Sequence, residues 1–237
     1  MTHLPGEVRI APDPEALADE VSGAVRDLSD APGSRFAIAL AGGRTPRAMY
    51  LRLASEPLVS QIDWARWHVY FSDERAAPPG DEASNYHLAR SMLLDAVPIP
   101  RGQVHRMRAE APDLDAAAAE YSSLLATTLG TPPRFDCVLL GLGGNGHTAS
   151  LFPNTAALGV ADGYATRGLA DYQPYDRLTL TYPAINAARC VIFTVTGADK
   201  GDALRAVVDG TAPAAGVAPS DGRLIWYLDE AAAAAMG

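Results

Sequence analysis

The sequence predicts an α/β fold built on a single doubly wound, mostly parallel sheet with helices on both faces. Three observations carry that expectation. Short apolar runs alternate with segments of helical periodicity along the chain. Two of the runs stop at glycine clusters, Gly42-Gly43 and Gly141 to Gly146, as buried strands do on entering tight turns. Polar residues gather at the ends of the runs, where open parallel sheets place their ligands.

In chain order, Leu17, Val21, Val25 and Leu28 recur at helical spacing behind Pro14, so 14–28 reads as a helix with proline in its first turn. Residues 36–41 form the first strand, followed by a helix over 48–54. The run 67–71 is the next strand, and it ends in Ser72, Asp73, Glu74 and Arg75. A Pro- and Gly-rich loop then leads to a helix over 86–96. An Ala-rich helix over 114–129 precedes a strand at 135–140 that runs into the second glycine cluster. Later strands fall at 177–182, 190–196 and 224–228, with a helix at 200–208 and an Ala-rich terminal helix after Asp229. The stretch 211–222 reads as a surface loop, too short and unpatterned to separate domains.

The chain has 237 residues, 48% apolar and 20% charged, which suits one Rossmann-like domain over 1–237 with a sizeable core. Its 19 basic and 28 acidic residues leave a net charge of −9, which speaks against a nucleic-acid surface. An anionic ligand therefore needs a local basic pocket. Cys137 and Cys190 each lie in an apolar run and make no zinc pattern, so they read as buried thiols in a reducing compartment. The first residues do not resemble a signal peptide, and no apolar stretch reaches the ~18 residues of a membrane span. The expectation is a cytoplasmic protein without a membrane partner. Protein partners are not legible.

The segment Gly141-Leu142-Gly143-Gly144-Asn145-Gly146 matches G-x-G-x-x-G, but Pro153 would truncate the long helix that a dinucleotide site requires, and no acid-tipped strand follows at the right offset. The loop serves better as a nest of N–H groups beside His147, next to Thr148 and Ser150. Arg75 at a strand end suits a phosphate, with Asp73 or Glu74 orienting it or a catalytic histidine. Gly42-Gly43-Arg44-Thr45-Pro46 is a strand-to-helix turn whose N–H groups and hydroxyl also suit phosphate, although its spacing is not that of a P-loop. Lys200 opposes the dipole at a helix start and wants an anion, and Arg177 opens a strand after a polar loop. No G-x-S-x-G or H-E-x-x-H pattern is present, so an α/β-hydrolase serine enzyme and a zinc hydrolase are disfavoured. Trp64, Trp67 and Trp226 lie in or beside strand patterns and read as core.

Together, Ala41 to Pro46, Ser72 to Arg75 with Ser84-Asn85-Tyr86, Gly141 to Pro153 around His147, and Arg177 to Thr181 with Lys200 resemble the 6-phosphogluconolactonases of the glucosamine/galactosamine-6-phosphate isomerase superfamily. The resemblance implies hydrolysis of 6-phospho-D-glucono-1,5-lactone to 6-phospho-D-gluconate in the oxidative pentose phosphate pathway, with a sugar-phosphate lactone as partner and neither metal nor organic cofactor. It implies His147 as the base that activates water, with Asp73 fixing its position or that of a cation. The 141–146 N–H groups and the Asn145 amide would hold the oxyanion. It also implies a phosphate pocket from Gly42, Gly43, Arg44, Thr45, Gly144, Arg75, Arg177 and Lys200. The family often has Asp at the position of Asn145, and a neutral amide cannot transfer a proton as a base. That weighs against the alternative of an amino-sugar isomerase or deaminase. A non-catalytic sugar-phosphate-binding protein is the other alternative.

Overall fold

A computed structural model describes residues 3–169 and 175–236. Strand β1 (Glu7–Ala11) leads to helix α1 (Pro14–Ser29), whose start is fixed by the Asp13 carboxylate accepting from the N–H groups of Glu15 and Ala16 at 2.9 and 2.8 Å. Strand β2 (Phe36–Leu40) is buried along its whole length and feeds α2 (Arg44–Leu53) through a turn confined to residues 41–43. The short α3 (Leu58–Gln61), strand β3 (Trp67–Phe71) and strand β4 (Asp73–Arg75) follow, then α4 (Asn85–Ala89). A π-helical turn, Arg90–Leu94, extends α4. Helix α5 (Leu114–Leu129), capped by Asp113 and ended by Gly130, precedes strands β5 (Cys137–Gly141), β6 (Ala165–Gly168) and β7 (Arg177–Leu180). Last come α6 (Tyr182–Asn186), β8 (Cys190–Val195), α7 (Gly201–Val208), β9 (Arg223–Asp229) and α8 (Glu230–Met236).

Six strands form one sheet in the order β1-β9-β8-β5-β2-β3, every neighbouring pair parallel. Every residue of β2 and β8 is buried, so layers cover both faces of the sheet centre, as a parallel sheet requires. The α/β fold with a mostly parallel sheet stands. Leaving β2 the chain moves outward to β3, then returns to lay β5 on the other side of β2, so the strand order reverses between β2 and β5. The crevice beyond the carboxyl ends of those two strands is where such sheets bind ligands.

The single-sheet expectation needs one correction. Residues 177–182 do not join the main sheet: β7 pairs antiparallel with β4 and β6 in a second sheet of three strands. The backbone of Ser72 ties the two sheets, donating to Leu40 O and accepting from Leu180 N, both at 2.8 Å. A charged triplet such as Asp73-Glu74-Arg75 has low strand propensity and is held as a strand only by this tertiary pairing. The helix expected over 48–54 begins instead at Arg44, because Pro46 is tolerated in a first turn. The helix expected over 86–96 splits into α4 and the π-helical turn. The three tryptophans are core, as their strand context implied: Trp226 stacks on Phe193 at 3.9 Å and Trp67 packs between Trp64 and Phe36. Among the described residues no helix is long and apolar enough to cross a membrane.

Candidate active site

Two adjoining hollows occupy the crevice at the strand-order reversal. The first, about 170 Å³, is lined by Gly42, Asp73, Arg75, Leu142, Gly143 and His147 among others. The second, about 180 Å³, shares Gly42, Gly141 and Leu142 with it and adds Arg44, Thr45, Thr196 and Lys200. The Gly42 turn, the Asp73–Arg75 strand, the His147 turn and Lys200, distant along the chain, therefore meet here, whereas Arg177 is buried and lines neither hollow.

His147 follows β5 at the end of a tight turn closed by Gly146 N donating to Gly143 O at 2.9 Å and Gly143 N donating to His147 O at 2.8 Å. The turn brings the imidazole against Gly143 so closely that a Cβ there would lie 2.0 Å from ring atoms Cε1 and Nδ1. Phe152 stands near the ring with centroids 4.5 Å apart. Asn145 Oδ1 accepts from the backbone N–H of His147 at 3.2 Å and lies 2.6 Å from its Nδ1. The backbone N–H is a donor only, so it fixes the oxygen of the Asn145 amide at this point, and Nδ1 must then carry the proton. Nε2 is left as the basic atom. Burial lowers the His147 pKa to about 4, helped by Lys200, Arg177 and Arg75 and opposed by the Asp73 charge. At neutral pH the ring is uncharged and able to accept a proton.

The small sheet supplies the charges. Asp73 and Arg75 on β4 face Thr179 and Arg177 on β7, so these four side chains share one face of the sheet. Arg75 stands directly opposite Arg177, so two positive charges face each other across the strands. Asp73 is buried; its Oδ2 accepts from Ser150 Oγ at 2.7 Å and its Oδ1 from Asn85 Nδ2 at 2.9 Å. It thus acts on His147 through charge rather than through a hydrogen bond. The neighbouring Glu74 points the other way and accepts from Asn85 N, Tyr86 N, Arg75 N and Ser84 Oγ, capping α4. Burial pushes its carboxyl up, but its place is structural. Arg75 Nη1 donates to Ala83 O at 2.7 Å, which anchors that guanidinium at the cleft edge.

Helix α2 points its start into the second hollow. Its N-cap is Gly43, which has no side chain to cap the first-turn N–H groups, so they remain available to an anion. Thr45 Oγ1 lies 3.1 Å from Thr196 Oγ1, joining the start of α2 to the end of β8, while Arg44 is exposed at the rim. Lys200 reaches in from the turn before α7 and pairs with exposed Asp199 at 3.3 Å. That turn is held by the buried Asp229 carboxylate, which accepts from Gly197 N at 3.0 Å.

Two sequence expectations need narrowing. Gly144 sits exposed at the outer tip of the turn and lines neither hollow. The amides of Gly143 and Gly146 are engaged inside the turn, so the 141–146 loop as a whole is not a nest of open donors. Sequence reasoning left out Asn85 and Ser150 as site residues, although both hold Asp73. Gly42 shows why Asn85 fits there, since a Cβ on it would lie 1.8 Å from Asn85 Oδ1. The glycine pair after β2 was a visible signal, whereas Asn85 stood out only within the Ser84-Asn85-Tyr86 motif, with no role attached. Among the described residues no group of three His, Cys, Asp or Glu side chains has a metal-binding arrangement.

Comparison with known proteins identifies the family. The family model for glucosamine-6-phosphate isomerases and 6-phosphogluconolactonases matches residues 12–226. A 6-phosphogluconolactonase of Synechocystis sp. is 44% identical over 204 residues, covering 82% of each chain. One of Streptomyces coelicolor is 37% identical over 241 residues, 93% of this chain and 91% of that one. The solved 6-phosphogluconolactonase of Trypanosoma brucei superposes with a TM-score of 0.86 at 29% identity, over 99% of this chain and 100% of that one. A monomeric glucosamine-6-phosphate deaminase shares the fold, with a TM-score of 0.83 at 20% identity over 97% of this chain and 99% of that one.

Proposed function

The chain belongs to the glucosamine-6-phosphate isomerase and 6-phosphogluconolactonase family, and on that premise we propose that it is the lactonase, converting 6-phospho-D-glucono-1,5-lactone and water to 6-phospho-D-gluconate in the oxidative pentose phosphate pathway. The observation that carries this reading is the His147–Asn145 pair beside a cationic cleft. Lactone hydrolysis needs one base, and Asn145, a neutral amide, orients that base without competing for the proton.

In the proposed mechanism Nε2 of His147 takes a proton from water as the oxygen attacks the lactone carbonyl carbon. Negative charge develops on the carbonyl oxygen. Gly42 and Leu142 line the first hollow, and their N–H groups donate to no protein acceptor among the described residues, which leaves them as the backbone donors for that charge. The tetrahedral intermediate collapses by breaking the bond to the ring oxygen, which takes the proton back from the imidazolium. Asp73 stabilises the imidazolium while it exists, by charge. The 6-phosphate is assigned to the cations Arg75, Arg177 and Lys200 with the start of α2, Gly42 to Thr45. This local excess of positive charge outweighs the net −9 because screening acts over ~8 to 10 Å. A cytoplasmic setting is part of the same proposal and is supported by Cys137 and Cys190, both free and buried.

Proton release from freshly generated lactone tests the function. The protein should accelerate hydrolysis well above the spontaneous rate and release no ammonia from glucosamine 6-phosphate. Ammonia release without lactone hydrolysis would make it a deaminase, and binding of phosphogluconate without any acceleration would make it a sensor.

The phosphate assignment has its own test. Lys200→Ala should weaken transition-state binding of the phosphorylated lactone by about 1.5 to 3 kcal/mol, the scale of one hydrogen bond between charged groups, read as kcat/KM. Unphosphorylated gluconolactone never makes that contact, so its slower turnover should barely change. Equal losses on both substrates would return Lys200 to the surface.

A further inference from the structure

Tyr50 is fully buried on α2 and lines neither hollow. Its hydroxyl donates to Ala41 O at 2.5 Å, and among the described residues no other donor reaches that carbonyl. Burial pushes the hydroxyl pKa up from its ordinary value of 10, and the Asp73 charge acts in the same direction, so the group keeps its proton and stays a donor. Ala41 is the last residue before Gly42, and both line the hollow that holds His147.

The Ala41 carbonyl and the Gly42 N–H belong to one planar, trans peptide unit, in which they point in opposite directions. A carbonyl drawn toward Tyr50 in the core therefore turns the Gly42 N–H away from the core, toward the hollow that Gly42 lines. Gly42 itself cannot be stiffened by a side chain, because a Cβ there would lie 1.8 Å from Asn85 Oδ1. A peptide unit beside a glycine has more orientations open to it, whereas a donor to a developing oxyanion has to be aimed before the charge appears. We propose that Tyr50 is a positioning residue for the reaction: through the Ala41 carbonyl it aims the Gly42 N–H at the lactone oxygen that becomes negative, a role that rests on the lactonase reading. A bond that served stability alone would satisfy two buried polar groups and leave the rate untouched.

Tyr50→Phe keeps the ring and removes the hydroxyl. Its kcat for the phosphorylated lactone should fall about tenfold or more while KM changes less than about twofold, the pattern of an interaction made only in the transition state. Tyr70→Phe is the control: Tyr70 is equally buried, and its hydroxyl meets Thr128 Oγ1 at 3.0 Å, outside the site. That variant should lose stability and keep kcat within a factor of about two. Relaxation-dispersion NMR of the Gly42 amide reads the aim of the peptide directly: flat in the wild-type protein, with exchange on the μs–ms scale in Tyr50→Phe. The wild-type half of that measurement stands even where the variant does not fold. Full kcat in Tyr50→Phe, an equal loss of kcat in Tyr70→Phe, or μs–ms exchange at Gly42 in the wild-type protein would each overturn the assignment. A wild-type protein that does not hydrolyse lactone would instead overturn the lactonase reading, and this role with it.

Discussion

Replacing His147 by Ala should lower kcat for the phosphorylated lactone by about 100- to 10,000-fold while the protein stays folded, the range expected when a general base is lost. The fold should survive because the closure of the turn uses the backbone of residue 147: Gly143 N donates to its carbonyl oxygen whatever the side chain is. Among the described residues the imidazole meets Gly143, Asn145 and Phe152, and none of these contacts closes the turn. Substrate affinity should change far less than turnover, since the phosphate cations are untouched. Thermal unfolding beside steady-state kinetics checks both halves. A variant that hydrolyses lactone at the wild-type rate would remove His147 from the mechanism.

The second large effect comes from a single methyl group. Gly143→Ala places a Cβ 2.0 Å from Cε1 and Nδ1 of His147, a separation that two carbon or nitrogen atoms cannot share without a bond. The obstacle is a ring in the middle of its hydrogen-bonded position, so the ring has to swing away and the Nδ1 contact with Asn145 breaks. A base displaced by an ångström or more loses its alignment with the attacking water, and a fall in kcat of about 100-fold follows. Gly144→Ala is the control, because a Cβ at that neighbouring position meets nothing within 4 Å. It should retain activity within a factor of about two, as expected for an exposed loop position. Equal activity in the two variants would show that the ring does not sit where Gly143 requires it.

These residues also show what a sequence can and cannot disclose. The strand at 36–40 and the glycines after it were legible because a fully buried parallel strand is a continuous apolar run, and its exit needs a residue without a side chain. His147, Arg75 and Lys200 were legible as polar groups at strand ends. The second sheet was not, because β4, β6 and β7 are only three or four residues long and carry charges; a strand at 177–182 was legible, but its pairing with β4 and β6 is decided by tertiary contacts. Strand β1 escaped because Val8 and Ile10 alternate with charged residues over only five positions at an exposed sheet edge. Within the site, Ser150 lies 77 positions from the Asp73 it holds, and nothing in the local pattern of either residue announces the other. The role of Asn145 was only half legible. Its departure from the family's frequent Asp was visible, but that its oxygen receives both the backbone and the ring N–H of His147 depends on the shape of the turn.

His147 stands ready as a neutral base with its proton on Nδ1 and its lone pair on Nε2. Nitrogen-detected NMR of the imidazole, titrated with pH, measures the tautomer and the pKa together. The free protein should show the Nδ1-protonated tautomer throughout the neutral range and protonate only near pH 4, because burial and the cations Lys200, Arg177 and Arg75 disfavour the charged ring. The active neutral form is therefore full above pH 5 and lost as the pH falls through 4. Adding 6-phosphogluconate, whose phosphate answers those cations, should move the titration upward. A ring protonated on Nε2 in the free protein, or one that titrates at or above its ordinary value of 6.5, would remove His147 as the neutral base.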